Sequence, residues 1–397
     1  MSMPIAFASR ICHGGAAIHG GSSSARARMC GLLFAILSLY ASAIQAANLV
    51  VGQVGPLSGP EAGQGRAYGD GMELYFTHVN KSGGMNGNQF VLVRKDDGSR
   101  HEDTVSLTKE LLTQAKPLVL SGYFGNNNIS ALLASNILQQ EGIALVGYRS
   151  WEIRAETPYV YNVRAGLRDE ITKLTEHLAT IGITRLGLFY EGGPNNSNLM
   201  AAIDEATKKA KARIIVQAAY QPGANSIGKA ANEFLQAQPQ AVLLITSGAT
   251  AANFIEQYRA IGGGAQIFSH SGSDIEQMAK RLSKEQLQGV VIAQVTPSPY
   301  TIASKVTKEF NDLVAQTGKP DVPVSFSMME GFIAAKVIVE AVRRQGRAPT
   351  REGTAAALDA MDNYDVGGYL LSFKPGMRTG SHRVELSIVS GAGKIRQ

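Results

Sequence analysis

Cysteine is nearly absent from the chain. Cys12 and Cys30 are the only two among 397 residues, and both lie near the N-terminus. Beyond them no disulfide can form, and no thiol can act as nucleophile or metal ligand. Stability must then come from a packed core. Acidic residues are absent from the first 46 positions, which carry Arg10, Arg26 and Arg28. Long hydrophobic runs are absent as well. The apolar stretch from Gly31 to Tyr40 is shorter than the ~20 residues that a membrane span needs. Tryptophan occurs once, at Trp151.

What the first 46 residues do contain is ordered. A basic region precedes a short apolar run, and the small residues Ala41, Ser42, Ala43 and Ala46 follow it. That order predicts a cleaved secretory signal peptide over 1–46, and hence an exported, periplasmic protein. Cleavage after Ala46 fits best, with Ala43 the alternative. Cys30 precedes the apolar run instead of ending it, which argues against a lipid anchor. Without the three leader arginines, 35 basic and 32 acidic residues remain, a net charge of +3. No Lys/Arg cluster suggests nucleic acid as a partner.

From Asn48 short apolar runs alternate with amphipathic stretches. Strands are expected at 49–55, 89–97, 117–122 and 143–147, and helices at 66–80, 103–115 and 128–142. A second series begins near Asp169. Its strands are at 185–191, 213–220, 241–247 and 266–272, and its helices at 169–182, 198–212, 230–238 and 249–262. Such alternation predicts parallel βαβ units and two doubly wound sheets. The C-terminal part breaks the pattern, with a strand at 289–295, helices at 306–318, 330–346 and 350–361, and a strand at 382–390.

No enzyme constellation assembles. GQGRAYGDG (63–71) lacks the G-x-G-x-x-G spacing and a phosphate-loop lysine. There is no G-x-S-x-G elbow. His101-Glu102 starts no H-E-x-x-H, and His78, His101, His177, His270 and His382 have no metal-pair spacing. Asp96-Asp97 is a carboxylate pair, but adjacent strand residues face opposite sides. One of the two is expected to cap a helix or to bond backbone donors. No catalytic residue, metal or cofactor is therefore expected.

GQVGPLSGPEAGQG (52–65) followed by HVNKSGGMNGNQFVLVRKDD (78–97) resembles the opening of the leucine/isoleucine/valine-type, type I periplasmic binding proteins. The likeness continues through SGYFGNNN (121–128), QQEGIALVG (139–147) and EGFIAAKVIVEA (330–341). The resemblance implies two α/β lobes joined by three crossovers, near 165–168, 295–298 and 346–350. Lobe one would take 48–166 and 297–347, and lobe two 167–296 and 348–397. It implies a small-molecule ligand, ABC permease subunits as partners, and a monomer. The runner-up is a ligand sensor of the same fold, feeding a receptor or regulator.

Ligands of open α/β sheets sit outside the strand carboxyl ends. Matched to the family, the expected ligand contacts are Gln64, Tyr123, Asn126, Asn127, Tyr148, Arg149, Ser150, Trp151, Asn195, Ser247 and Ser271. Asn126 stands at the usual serine that holds the ligand carboxylate. Ser271 stands where an acidic residue normally pairs with the ligand ammonium. Because a desolvated ammonium without a counter-charge is costly, an organic or aromatic acid is expected first, or else an amino-acid-like compound, in place of a simple aliphatic amino acid. Arg149 would grip its carboxylate bidentately, or else pair with Glu152. Tyr148 or Trp151 would stack on a ring. Glu330 reads as a helix-start acid favoured by the dipole.

Overall fold

The computed structural model describes residues 47–193, 195–221, 225–317, 323–390 and 395–396. The expected leader lies outside the described residues. No helix among them is long and apolar enough to cross a membrane.

The first sheet has five parallel strands in the order β2-β1-β3-β4-β5. They are β1 (Asn48–Gly55), β2 (Gln89–Asp96), β3 (Val119–Phe124), β4 (Leu145–Arg149) and β5 (Val160–Tyr161). The second sheet is built from β6 (Arg185–Glu191), β7 (Arg213–Tyr220), β8 (Ala241–Ile245), β9 (Gln266–Ser269), β10 (Val291–Gln294), β13 (Glu385–Val389) and β14 (Ile395–Arg396). Its order is β14-β13-β10-β9-β8-β6-β7. A small hairpin of β11 (Tyr364–Asp365) and β12 (Leu370–Leu371) stands apart. Both sheets are covered on two faces, as apolar strands require. In β8, Val242 and Leu244 join one core cluster while Leu243 and Ile245 join the opposite one. The fold class is thus the expected pair of doubly wound lobes.

The helices Ala62–Lys81 and Phe326–Gln345 pack on one face of the first sheet. The second is apolar on nearly every side and is buried from Phe326 to Val342, as a helix enclosed by protein should be. Two glycines set the spacing between these helices. A Cβ on Gly71 would lie 1.9 Å from Met328 O, and one on Gly331 would lie 2.0 Å from Tyr68 O. The close approach brings Gln64 and Glu330 to the same end of the helix pair.

Several expectations need correction. The helix expected at 128–142 is two helices, Asn126–Ala134 and Ile137–Gln140, broken at Asn136 with φ +55°. The helix expected from 330 begins at Phe326, capped by the Ser325 hydroxyl. The strand near 382–390 runs antiparallel to β10. The third crossover is not at 346–350. Leu358, Met361, Val366, Tyr369, Leu371 and Phe373 all belong to the first-lobe core, and the chain returns to the second sheet only at β13. The reason is apolar: Leu358 and Leu371 are fully buried in the same core cluster as Phe332 and Ile338. The crossovers are laced together, since Tyr369 Oη lies 3.0 Å from Val163 O and 2.9 Å from Val295 O.

Candidate functional site

A cavity of about 660 Å³ opens between the lobes at the carboxyl ends of the strands. Lobe one supplies Pro56, Pro60, Glu61 and Gln64 from the turn after β1, Phe124 to Asn128 from the turn after β3, and Arg149 to Trp151 after β4. Lobe two supplies Glu191 and Gly192 after β6, Tyr220 at the end of β7, Ser247 to Thr250 after β8, and Gly272 after β9. Arg164 reaches in from the first crossover.

The register of β3 against β4 decides which side chains face this space. Tyr123 pairs with Tyr148, and Phe124 pairs with Arg149. Alternation then puts the two tyrosines on one sheet face and Phe124 with Arg149 on the other. The Arg149 guanidinium sits 5.8 Å from the Phe124 ring centre. Tyr123 is fully buried on the opposite side, its hydroxyl 3.0 Å from Thr108 Oγ1. Tyr148 lines a different cavity. Neither tyrosine lines the cleft, a correction to both assignments.

Two further assignments fail geometrically. Asn195 stands outside the wall, and its Nδ2 donates to Glu152 Oε2 at 2.8 Å. Ser271 lies beneath the wall, where its N–H and hydroxyl donate to Glu170 at 2.6 and 3.0 Å. The other seven, Gln64, Asn126, Asn127, Arg149, Ser150, Trp151 and Ser247, are brought together around the cleft.

Arg149 has a role other than the expected one. Its Nε donates to Glu330 Oε2 at 3.0 Å, its Nη1 donates to Gln64 Oε1, and Asp274 lies 3.7 Å away. Glu330 is not a surface helix-start acid but is fully buried, and Arg164 Nη1 stands 3.6 Å from the same oxygen. Arg164 also donates to Glu170 at 2.9 Å and to Ser271. Glu152 pairs with Arg154, not with Arg149. Two guanidiniums and three carboxylates thus form one enclosed network reaching from lobe one to lobe two. The neighbouring acids hold the Arg149 proton against the desolvation that favours its loss. Gln64 is committed to the same scaffold, since its Nε2 donates to Glu61 at 2.7 Å and to Gln277 at 2.8 Å.

The lobes meet through further bonds on both flanks. Gln277 Nε2 donates to Pro60 O at 2.7 Å, Ser327 Oγ to Asp274 Oδ2 at 3.1 Å, and Asn198 Nδ2 to Ile153 O at 3.0 Å. Asp274 holds φ +49° while its Oδ1 caps the helix Ile275–Arg281.

On the wall itself, one side suits an anion. The helix Asn126–Ala134 opens on the cavity, and its first-turn amides have no intrahelical acceptor. Its Asn126 Oδ1 accepts from Ser150 Oγ and Trp151 N at 2.9 Å each, which fixes the loop carrying Trp151. The buried Trp151 Nε1 has no partner among the described residues. The opposite side is acidic. Glu191 accepts from Ser247 Oγ at 2.8 Å and lines the cleft. Burial pushes the Glu61 carboxyl up to about 7, helped by the charges of Asp274 and Glu191 and opposed by a hydrogen bond with Gln277. Glu61 and Glu191 are the acids that line the cleft. Neither they nor Arg164 and Tyr220 were among the expected contacts, although Tyr220 ends the strand expected at 213–220.

Asp96 and Asp97 are structural. Asp96 accepts from Leu57 N, Ser58 N and Gly98 N, which holds its carboxyl down at about 2 despite some desolvation. Among the described residues no group of three or more His, Cys, Asp or Glu is placed to hold a metal. His270 is buried and neutral, pushed down to about 3 by desolvation, with Nδ1 accepting from Gly272 N.

Two α/β lobes joined by three crossovers, with a cleft between them at the strand carboxyl ends, have the architecture of a binding protein. The comparisons agree. The periplasmic binding protein family model matches residues 48–389, so the chain belongs to that family of ligand-binding proteins. A substrate-binding periplasmic protein from Ralstonia solanacearum is 35% identical, with TM-score 0.82 over 87% of this chain and 99% of that one. An extracellular ligand-binding receptor from Verminephrobacter eiseniae is 25% identical, with TM-score 0.82 over 88% of this chain and 100% of that one. An amino acid binding protein of Pseudomonas aeruginosa is 30% identical over 100 residues, 25% of this chain and 26% of its own length. The match therefore spans about a quarter of that curated relative.

Proposed function

We propose that the chain is the extracytoplasmic solute-binding component of an ATP-driven importer, capturing a small molecule by lobe closure and delivering it to permease subunits. The cargo is amino-acid-like: an anionic end meets the first-turn amides of Asn126 to Asn128, and an amine meets Glu191 and Glu61. What supports this reading is that two acids, Glu61 and Glu191, and the helix N-terminus at Asn126 line one cleft. Trp151, with its indole N–H unpartnered, and Phe124 supply the apolar and aromatic contacts between these ends.

Of the two expected cargo classes, this reading favours the amino-acid-like compound over an acid without an amine. Arg149 is already neutralised by Glu330 and Asp274, so it has no free fork for a second carboxylate. A thermal-shift screen followed by calorimetry tests the point, using amino acids, aromatic acids, dicarboxylates, amides and ureas. Amine-bearing acids should bind, and Glu191→Gln should abolish their binding. Tight binding only of acids that lack an amine would overturn the assignment.

A further inference from the structure

The cleft carries more negative than positive charge. Beneath its wall the guanidiniums of Arg149 and Arg164 meet three carboxylates, those of Glu330, Asp274 and Glu170. The wall adds two more, Glu61 and Glu191, and among its described lining residues there is no lysine and no arginine beyond those two. Two cations therefore answer five acids. Glu152 and Arg154, beside Trp151, pair with each other and leave that surplus unchanged.

The two wall acids come from opposite lobes. Glu61 lies in the turn after β1, and Glu191 ends β6. Their hydrogen-bond partners are neutral: Gln64 and Gln277 for Glu61, and Ser247 for Glu191. Burial, together with the charges of Asp274 and Glu191, pushes the Glu61 carboxyl up to about 7. Bringing such groups together in a closing cleft is unfavourable, because like charges oppose one another and each desolvated charge needs a counter-charge. A single amine, offset by the cargo's own carboxylate, leaves the surplus as it was. A second cationic group on the cargo reduces it.

The cleft has room for such a molecule. The lobes are bonded on both flanks, Gln277 to Pro60 and Asn198 to Ile153, and the space between them still measures about 660 Å³. At roughly 30 Å³ per water, that is the volume of about 22 waters, enough for a side chain that carries its second charge well away from the first.

We propose that the cargo bears two cationic groups, one held by Glu191 and one by Glu61, as in a basic amino acid with an amine or guanidinium at the far end of its side chain. This rests on the amine-bearing cargo proposed above and adds its net charge.

Calorimetric titration of the full chain with lysine and arginine, each against its neutral isostere norleucine or citrulline, tests the proposal. The basic member of at least one pair should bind about tenfold more tightly than its isostere, the worth of one charge-assisted hydrogen bond. Glu61→Gln keeps an acceptor for Gln64 and Gln277, so it should erase that preference without lowering the melting temperature. Neutral isosteres that bind as tightly as both basic members, or a preference that survives in Glu61→Gln, would refute the second charge and leave the amine-bearing cargo standing. Failure of both lysine and arginine to bind, with other amine-bearing acids bound in the wider screen, has the same meaning. Binding only of acids that lack an amine would sink both readings, so the two failures are told apart.

Discussion

Replacing Glu330 by glutamine removes the one charge shared by two buried guanidiniums. Arg149 Nε stands 3.0 Å and Arg164 Nη1 3.6 Å from Glu330 Oε2, and the carboxylate side chain is fully enclosed. Breaking a buried ion pair by removing one partner costs about 3–5 kcal/mol, because the other charge stays desolvated. Here Asp274 at 3.7 Å and Glu170 at 2.9 Å remain as partial compensation, so the lower half of that range applies. Unfolding entropy near ~2.1 cal/mol/K per residue, over roughly 350 residues, amounts to about 0.7 kcal/mol/K. The expected fall in Tm is thus about 4–6 °C, read by calorimetry or circular dichroism at pH 7. Glu176→Gln is the control, because its pair with Lys209 is open to solvent and should leave Tm unchanged. If Glu330→Gln shifts Tm no more than this control, the buried network does not hold the lobes as described.

Glu276 is raised to about 8 by burial and by Asp274 beside it, with Tyr300 and the Phe326 N–H pulling the other way. The folded state then keeps a proton that the unfolded chain releases, so stability falls as pH rises from the ordinary carboxylate range through 8. Glu276→Gln should flatten that decline in melting scans from pH 5 to 9, and an unchanged slope would refute it. Glu61, raised to about 7, is increasingly neutral below that pH. Affinity for an amine-bearing ligand should therefore climb between pH 6 and 8, and Glu61→Gln should remove the climb in calorimetric titrations. Trp151 is the sole tryptophan, so ligand binding should change the protein's indole emission saturably. Trp151→Phe should weaken binding about five- to tenfold by losing its N–H donor, and equal affinity would place the ring outside the contact.

Much of the site was legible as loops and little of it as individual contacts. The carboxyl ends of the eight strands expected between 49 and 272 do reach the cleft, because an apolar run followed by a turn marks where a parallel strand stops. Which side chain turns inward depends on register, and register is a property of two strands together. Tyr123 and Tyr148 read as ligand contacts, Tyr148 a ring-stacking one, yet the pairing of β3 with β4 turns both away from the cleft. Arg149 looked like a free cation because Glu330, 181 positions later in the chain, gives no local sign that it will arrive beside it. The third crossover was misplaced for a related reason. Nothing local in 351–373 announces that Leu358, Met361 and Leu371 join the first-lobe core with Phe332 and Ile338.

The commitment of Arg149, Gln64 and Glu330 to one another divides labour within the cleft. Glu330, Asp274 and Glu170, which complete the buried network between the lobes, do not line the cleft, whereas Glu191 and Trp151 do. Selection can therefore vary Glu191 or Trp151 and change the recognition wall without touching that network. The same division offers a practical handle: a redesigned recognition wall could report a new analyte through the existing hinge, with Trp151 or a dye in its place as the signal.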